Sequence, residues 1–151
     1  RTASGVKGIT LEDADLVVSM EVADESKTLL TVTTNGYGKR TALSEYRLIS
    51  RGGKGVINMN LTDKTGKVVC VKEVDDKDEL MFMSKNGIII RTASKDISVI
   101  GRATQGVRVM RLEEGDELVA AERIISEENG SPDTKELDSQ APKPDTHDGQ
   151  L

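Results

Sequence analysis

Short apolar segments alternate with polar, turn-forming segments along the first 125 residues of the chain. The apolar segments are about four to eight residues long and rich in Val, Ile, Leu and Thr, which is typical of strands. Asn35-Gly36 and Asn86-Gly87 each follow such a segment and connect it to a predicted return strand, and this dipeptide favours the tight turn of a β-hairpin. No helical periodicity occurs before Ile125, so we predict an all-β fold. The predicted strands are Val6–Thr10, Leu16–Val22, Thr28–Thr33, Tyr37–Ala42, Val56–Leu61, Lys67–Val74, Leu80–Ser84, Ile88–Ala93, Val107–Leu112 and Glu117–Ile124.

The strand pattern repeats along the chain. An Arg, three small or polar residues and a Gly-Val step recur at Arg1–Val6, Arg51–Val56 and Arg102–Val107. The hairpin segments Gly36–Ala42 and Gly87–Ala93 align at the same spacing. Four strands in each unit of about 50 residues are typical of propeller-like blades.

The repeat divides the chain into four parts. We predict the second half of a blade at residues 1–24, full blades at 25–75 and 76–125, and a disordered acidic tail at 126–151. Complete propellers have about four to eight blades, so we expect these blades to form a partial ring within a longer protein. A swapped strand or a second chain would be the alternative way to complete the half blade.

The charge of the chain is segregated. Residues 1–125 hold 19 basic and 19 acidic side chains, whereas residues 126–151 hold 2 basic and 7 acidic ones. The segment after Ser126 also contains all three prolines and few large apolar residues, which is the composition of a disordered tail. Cys70 is the single cysteine, so an internal disulfide is excluded. Together with the absence of a membrane-length apolar run, this predicts a cytoplasmic protein with no membrane contact.

The sequence offers little for catalysis or metal binding. His147 is the only histidine and lies in the predicted tail, so no Ser/His/Asp or Cys/His set can be assembled. No His/Cys cluster has the spacing of a zinc site. The Arg51–Gly55 turn lacks the spacing of a nucleotide phosphate loop and precedes a predicted strand. We therefore predict no catalytic residue, no metal site and no cofactor in this chain.

A set of basic residues recurs at related places in successive units. On a ring of blades, such positions share one rim, where they could hold a polyanion along its phosphates. Alternatively, the arginines pair with carboxylates between blades and the glycines serve only the turns. The residues of this set, which are the candidates for contact with such a polyanion, are Lys39, Arg40, Arg51, Lys54, Arg91 and Arg102.

Several segments resemble a known family. They are Asn35–Ala42, Ser44–Tyr46, Ile100–Val107 and the three Arg-x-x-x-Gly-Val copies, and they are similar to the C-terminal domain of the DNA gyrase A subunit. The resemblance covers the chain to about Ile125. It implies a β-pinwheel whose blades exchange strands, and a basic rim that wraps double-stranded DNA so that the enzyme introduces negative supercoils.

The resemblance also implies partners and cofactors outside this chain. The parent would be an ATP-dependent type II topoisomerase that uses ATP and magnesium. The partners of this chain would be the rest of the gyrase A subunit and the gyrase B subunit. The complete enzyme would contain two A and two B subunits. The catalytic tyrosine of the family belongs to another domain, so neither Tyr37 nor Tyr46 takes that role.

One motif departs from the family. The gyrase box reads Gln-Arg-Arg-Gly-Gly-Lys-Gly, whereas Ile49 and Ser50 precede Arg51–Gly55 here. We therefore interpret this turn as a degenerate copy and expect the intact box elsewhere.

Two alternative functions for the chain stay open. One is a propeller that serves as a protein-interaction scaffold, and the other is the C-terminal domain of the topoisomerase IV A subunit.

Overall fold

The computed structural model describes residues 3–124, which form antiparallel β-sheets. The predicted all-β fold is confirmed. Two single 3-10 turns, Leu43–Glu45 and Ser94–Asp96, lie in the loops after the hairpins. The strands are β1 (Thr28–Thr33), β2 (Tyr37–Ala42), β3 (Val68–Val74), β4 (Glu79–Ser84), β5 (Ile89–Ala93), β6 (Val107–Arg108) and β7 (Leu118–Ile124).

The hairpins form where Asn-Gly predicts them. Thr28 pairs with Ala42 and Val32 with Gly38 in the β1–β2 hairpin, and Glu79 pairs with Ala93 in the β4–β5 hairpin. Gly36 and Gly87 have φ angles of +77° and +87°, a backbone region that glycine adopts without steric cost. The turn chemistry of the sequence therefore fixes the register of both hairpins.

The sheets do not follow the boundaries of the sequence repeat. One sheet has the order β3-β1-β2-β6 and the other the order β5-β4-β7. In the first sheet β6 comes from the second repeat and pairs with β2, with Tyr37 opposite Arg108 and Gly38 opposite Val107. The third strand of the second repeat thus completes the sheet of the first, which is the strand exchange that the resemblance implied.

Close backbone approach makes this exchange possible. A Cβ atom added to Gly38 would lie 2.9 Å from Val32 Cγ1 and 3.1 Å from Val109 Cγ1. Gly106, at φ +78°, comes so close to the Gly38 carbonyl that an added Cβ would lie 2.6 Å from its oxygen. The crossing strand therefore requires glycine on both sides of the contact.

Three predicted strands are not regular strands in the structure. Val6–Thr10, Leu16–Val22 and Val56–Leu61 have no assigned ladder, and β6 is two residues long instead of six. A strand requires a partner with matching register. Within residues 3–124 the backbone of residues 6–10 is joined to the Arg51 turn by Thr10 N–Gly53 O (2.9 Å) and Gly52 N–Gly8 O (2.8 Å), and these bonds do not form a ladder. The apolar pattern therefore did not predict which segments form ladders.

Both sheets share one hydrophobic core. Phe82 is fully buried, as are Leu30 of β1, Leu80 of β4 and Leu118 of β7. The remaining buried members are Val32, Val74, Ile97, Met110 and Ala121. Burial of the aliphatic side chains from both repeats in one cluster makes the two repeats mutually dependent for stability.

Cys70 joins the two sheets at their contact. Its thiol donates a hydrogen bond to the carbonyl oxygen of Ala121 across a distance of 3.3 Å. Burial raises the pKa of the Cys70 thiol. The thiol is therefore held in its unreactive protonated form, as is usual for a cysteine in an apolar strand.

No helix within residues 3–124 is long and apolar enough to cross a membrane. The acidic segment Ser126–Leu151 lies outside the described residues. The predicted disorder of that segment stays a prediction.

Candidate functional site

The Arg51 turn presents two cations to solvent. Arg51 and Lys54 are both exposed. Gly52 and Gly55, at φ +76° and +81°, let the chain turn sharply between them. Within residues 3–124 neither side chain has an ion-pair partner. Both charges are thus available to an external anion.

The equivalent turn in the second repeat borders a groove. Arg102 is partly buried; its guanidinium lies 5.9 Å from the centre of the Tyr46 ring, and its Nη1 donates a hydrogen bond to Ile57 O at 3.1 Å. The open groove beside it has a volume of about 770 Å³. Its lining residues are Glu45, Arg47, Val56, Ile57, Gly101, Arg102, Ala103 and Thr104.

Tyr46 lies against the Arg102 guanidinium and is held in place from below. Its hydroxyl hydrogen-bonds to Asn58, and the Asn58 amide in turn donates to Thr31 Oγ1 at 2.8 Å. Burial raises the pKa of Tyr46, so the phenol stays neutral. The ring therefore offers the Arg102 guanidinium a fixed apolar face for a cation–π contact.

Lys39 is fully buried and lies under the Arg102 turn. Its Nζ donates to Gly101 O at 2.7 Å, to Arg102 O at 2.6 Å and to Thr104 Oγ1 at 3.4 Å. Burial lowers the pKa of Lys39, the nearby Glu45 carboxylate opposes that effect, and Arg102 adds to it. Because all three ammonium donors are used internally, the structure does not place Lys39 on an open rim.

Arg40 is also buried, between the repeats. Its Nε donates to Ile97 O at 2.9 Å, and its Nη1 forms an ion pair with Asp76. Its backbone N–H bonds to Ser98 O at 3.1 Å, and its carbonyl accepts from Ile100 N at 2.8 Å. The side chain is only 4 % exposed, which matches the alternative of pairing between blades rather than a place on the rim.

Arg91 occupies the position on β5 that Arg40 occupies on β2. Its side chain is 61 % exposed and forms an ion pair with Glu79 on the neighbouring strand. An exposed pair of this kind contributes little to stability, so the Arg91 charge can be shared with an incoming anion.

The structure therefore separates the six predicted residues into two groups. Arg51, Lys54, Arg91 and Arg102 carry charges at or near the surface, whereas Lys39 and Arg40 hold neighbouring repeats together. Lys39 and Arg102 are brought into contact although they are far apart in the sequence. Burial of a charged group requires converging acceptors from another segment, and composition does not reveal such acceptors.

Two further cations were not predicted from the sequence. Lys64 and Arg108 lie over the Tyr37 ring, 5.4 and 5.5 Å from its centre, and Arg108 Nη2 donates to the Tyr37 hydroxyl at 3.0 Å. That hydrogen bond is the main reason why the pKa of Tyr37 is lowered. The position of Arg108 holds Lys7 in the N-terminal copy of the motif but Ile57 in the middle one, so the cation does not recur in every copy.

Residues 3–124 contain no group of three or more His, Cys, Asp or Glu side chains arranged to hold a metal ion. The chemistry available at these surfaces is electrostatic. Guanidinium and ammonium groups on glycine-rich turns suit the phosphate oxygens of a polyanion.

The chain matches one protein-family model, described as the DNA gyrase C-terminal domain, beta-propeller. The match covers residues 1–24, 27–72 and 78–125. The three matched segments include the Arg51 and Arg102 turns.

Two curated relatives show the extent of the likeness. The DNA gyrase A subunit of Staphylococcus epidermidis strain ATCC 12228 is 47 % identical over 131 residues, which are 85 % of this chain and 15 % of that protein. The DNA gyrase A subunit of Staphylococcus aureus strain NCTC 8325 is 44 % identical over 151 residues, which are 99 % of this chain and 17 % of that protein. The chain thus spans a small part of the length of these relatives.

Solved structures share the fold. A DNA gyrase A C-terminal domain is 33 % identical, with a TM-score of 0.62 over 65 % of this chain and 33 % of that one. The C-terminal domain of a DNA topoisomerase IV gives a TM-score of 0.72 at 21 % identity, covering 79 % of this chain and 38 % of that one. At that identity, the second likeness concerns the fold alone.

Proposed function

Because this chain belongs to the DNA gyrase C-terminal domain family, we propose that it binds double-stranded DNA as the C-terminal part of a gyrase A subunit. The observation that carries the proposal is the exposed Arg51–Lys54 turn, whose two cations have no ion-pair partner within residues 3–124. Its counterpart at Arg102 lines a groove one repeat further along.

The contacts are to phosphates rather than to bases. Lys and Arg side chains that neutralise phosphates release condensed counterions, which gives affinity without sequence preference. The turns consist largely of glycine and flexible cations, and in the described part of the chain no helix or long ribbon lies at them to enter a major groove. Arg51, Lys54, Arg91 and Arg102 are the residues we assign to direct contact. Lys39 and Arg40 contribute by holding the repeats in place.

Repetition of the contact along the chain suits a bent duplex. Bending a short site costs about 1–6 kcal/mol, and contacts spread along the arc offset that cost. Turns spaced one repeat apart supply such contacts at regular intervals. We extend the proposal to the wrapping of DNA and, in the parent enzyme, to the introduction of negative supercoils.

The parent would be a type II topoisomerase in the cytoplasm, assembled from two gyrase A and two gyrase B subunits. The ATP and magnesium implied for it do not fit the described residues. The Arg51 turn leads into a segment without regular secondary structure instead of a helix N-terminus that would cradle nucleotide phosphates. Within residues 3–124 no group of acidic residues is arranged to hold a metal ion. No step of nucleotide chemistry is assigned to this chain.

A salt titration tests the proposal. Fluorescence anisotropy of a labelled linear duplex, followed from about 50 to 200 mM salt, should give a straight line of log K against log salt with a slope near −0.9 for each neutralised phosphate. Arg51→Ala combined with Lys54→Ala should reduce the steepness by about two and weaken binding to unrelated duplex sequences alike.

A matched control removes two exposed lysines from other turns. Lys77→Ala with Lys85→Ala changes the net charge equally but leaves the Arg51 and Arg102 turns intact. The proposal predicts a much smaller change of slope for this control. Absence of binding by the unmodified chain, or equal effects of the two double variants, would overturn it.

A further inference from the structure

We propose that Lys39 is a positioning residue: from the neighbouring repeat it holds the Arg102 turn in the conformation that presents the Arg102 guanidinium to DNA, without touching DNA itself. The first half of this inference, that Lys39 sets the shape of the Arg102 turn, is argued from the geometry of the chain. The second half, that this shape presents Arg102 to DNA, rests on the proposed function.

The hydrogen bonds define the arrangement. The Lys39 ammonium binds the carbonyl oxygens of Gly101 and Arg102 at 2.7 and 2.6 Å, on the backbone of the very residue whose side chain reaches the groove. Thr104 closes the turn, because its N–H donates to Arg102 O at 2.9 Å and its hydroxyl to Gly101 O at 2.8 Å. Two carbonyls of one turn are thus bonded both from within the turn and from β2 of the preceding repeat.

A second contact from the preceding repeat acts on the same residue. Glu45 Oε2 accepts the Arg102 backbone N–H at 3.3 Å. The Arg102 peptide is therefore held at its carbonyl by a cation and at its N–H by an anion. Both holding groups belong to the preceding repeat, while Arg102 itself belongs to the following one.

Comparison of the repeats supports a specific role for the lysine. Lys39 pairs with Thr31 on β1, and the equivalent residue of the next hairpin is Ile90, which pairs with Phe82 on β4. Within residues 3–124 no basic turn lies beyond Ile90 for it to hold. A buried lysine is costly, so an apolar residue at the equivalent site indicates that the ammonium serves the turn rather than the hairpin.

A double-mutant cycle separates positioning from contact. Arg102→Gln should weaken duplex binding by about three- to tenfold, the loss expected from one charge-assisted contact. Lys39→Met, which keeps the side-chain length and removes the charge, should weaken it by a similar factor. Combined with Arg102→Gln, however, Lys39→Met should add less than about twofold, because it acts through a contact that is already lost.

A direct readout needs no DNA. In a ¹H–¹⁵N spectrum of the chain, Lys39→Met should shift the amide signals of Gly101, Arg102 and Thr104, while those of β4 and β7 stay in place. Lys85→Met, the loss of an exposed lysine in another turn, is the matched control and should leave the three signals unchanged.

A milder variant guards against loss of folding. Thr104→Val removes the hydroxyl that bonds Gly101 O but keeps Lys39 buried, so it should loosen the same turn and show the same non-additivity with Arg102→Gln. If Lys39→Met does not fold, this variant decides the question.

The outcomes separate the two proposals. Additive losses in the cycle, or unshifted turn amides in Lys39→Met, would overturn the positioning role while leaving DNA binding intact. Absence of binding by the unmodified chain would overturn the proposed function and the DNA half of this inference, and the amide shifts would then decide the remaining half.

Discussion

Arg40 and Arg91 stand at equivalent places on β2 and β5, yet the Arg40 side chain is 4 % exposed and the Arg91 side chain 61 %. The difference comes from the packing of the next repeat. The loop Ile97–Ile100 of that repeat covers Arg40, and within residues 3–124 no further repeat covers Arg91. The same residue type thus serves as an internal link in one repeat and as a surface cation in the next.

This relationship predicts unequal effects on stability. Arg40→Ala leaves the Ile97 carbonyl without its donor and opens space between the repeats, which should lower the free energy of unfolding by about 2–3 kcal/mol. Arg91→Ala should change it by less than about 1 kcal/mol, since the pair with Glu79 is solvated. Urea denaturation of both variants measures the difference; equal losses would contradict the assignment of Arg40 to the inter-repeat contact.

The glycine contact beneath the exchanged strand gives a second prediction. Gly38→Ala places a methyl group against Val32 and Val109, and such overpacking should cost about 1–3 kcal/mol of unfolding free energy. Gly8→Ala is the control, because its added methyl group meets nothing within 4 Å. Equal melting temperatures for the two variants would show that the packing of β6 does not require the close approach at Gly38.

The Glu73–Lys27 pair predicts a dependence on pH. Lys27 Nζ lies 2.8 Å from Glu73 Oε1, and this bond is the main reason that the pKa of Glu73 falls below its ordinary value of 4.5. A carboxylate with a lowered folded pKa stabilises the fold above the unfolded value and loses that contribution as pH falls through the folded pKa. Below about pH 4.5 the chain should therefore lose stability more steeply than Glu73→Gln does.

The alkaline limb arises from the same pair. The hydrogen bond to Glu73 raises the pKa of Lys27 above its ordinary value of 10.5. The contribution of Lys27 to the free energy of unfolding is therefore fully present below pH 10.5 and is lost as pH rises through the raised pKa. Glu114→Gln, an exposed carboxylate outside any ion pair within residues 3–124, is the control. Acid and alkaline denaturation profiles that coincide for Glu73→Gln and Glu114→Gln would disprove the prediction.

The acidic end of the sequence predicts competition with DNA. Residues 126–151 carry 7 acidic and 2 basic side chains and are tethered to the basic turns, which gives them a high effective concentration there. Removal of Ser126–Leu151 should tighten duplex binding, most clearly at low salt, where charge attraction is least screened. Equal affinities for the duplex with and without the segment would contradict this competition and leave the segment a passive solubilising end.

The sequence predicted those parts of the fold that depend on neighbours in the chain. Both hairpins form at Asn-Gly turns, and their predicted strands agree with the structure to within a residue or two. The crossing of β6 was not predictable in the same way, because Val107 pairs with Gly38 and the pairing rests on glycines in two different repeats. Pattern alone does not say which sheet a strand joins.

The candidate site was predicted in part for a related reason. The exposed turn at Arg51 is predictable from composition, whereas the burial of Lys39 depends on carbonyl groups at Gly101 and Arg102. The sequence gives one indication that Lys39 is buried. The equivalent residue of the other repeat is Ile90, and an apolar residue there marks a position that is compatible with burial. Arg40 and Arg91 offer no such signal, because their different surroundings come from the loop packed on them.

Strand exchange has a consequence for how a chain of this kind can change its length. The sheet that begins with β1 is completed by β6, so the segment that forms one sheet overlaps the next sequence repeat. Duplication of one whole period preserves the order of strand pairing, wherever the duplicated segment begins. The third strand of the added repeat pairs with the second strand of the repeat before it. The second strand of the added repeat can then pair with the third strand of the repeat that follows. Gain or loss of repeats by recombination thus needs no new interface inside the array, and only the terminal edges must adapt.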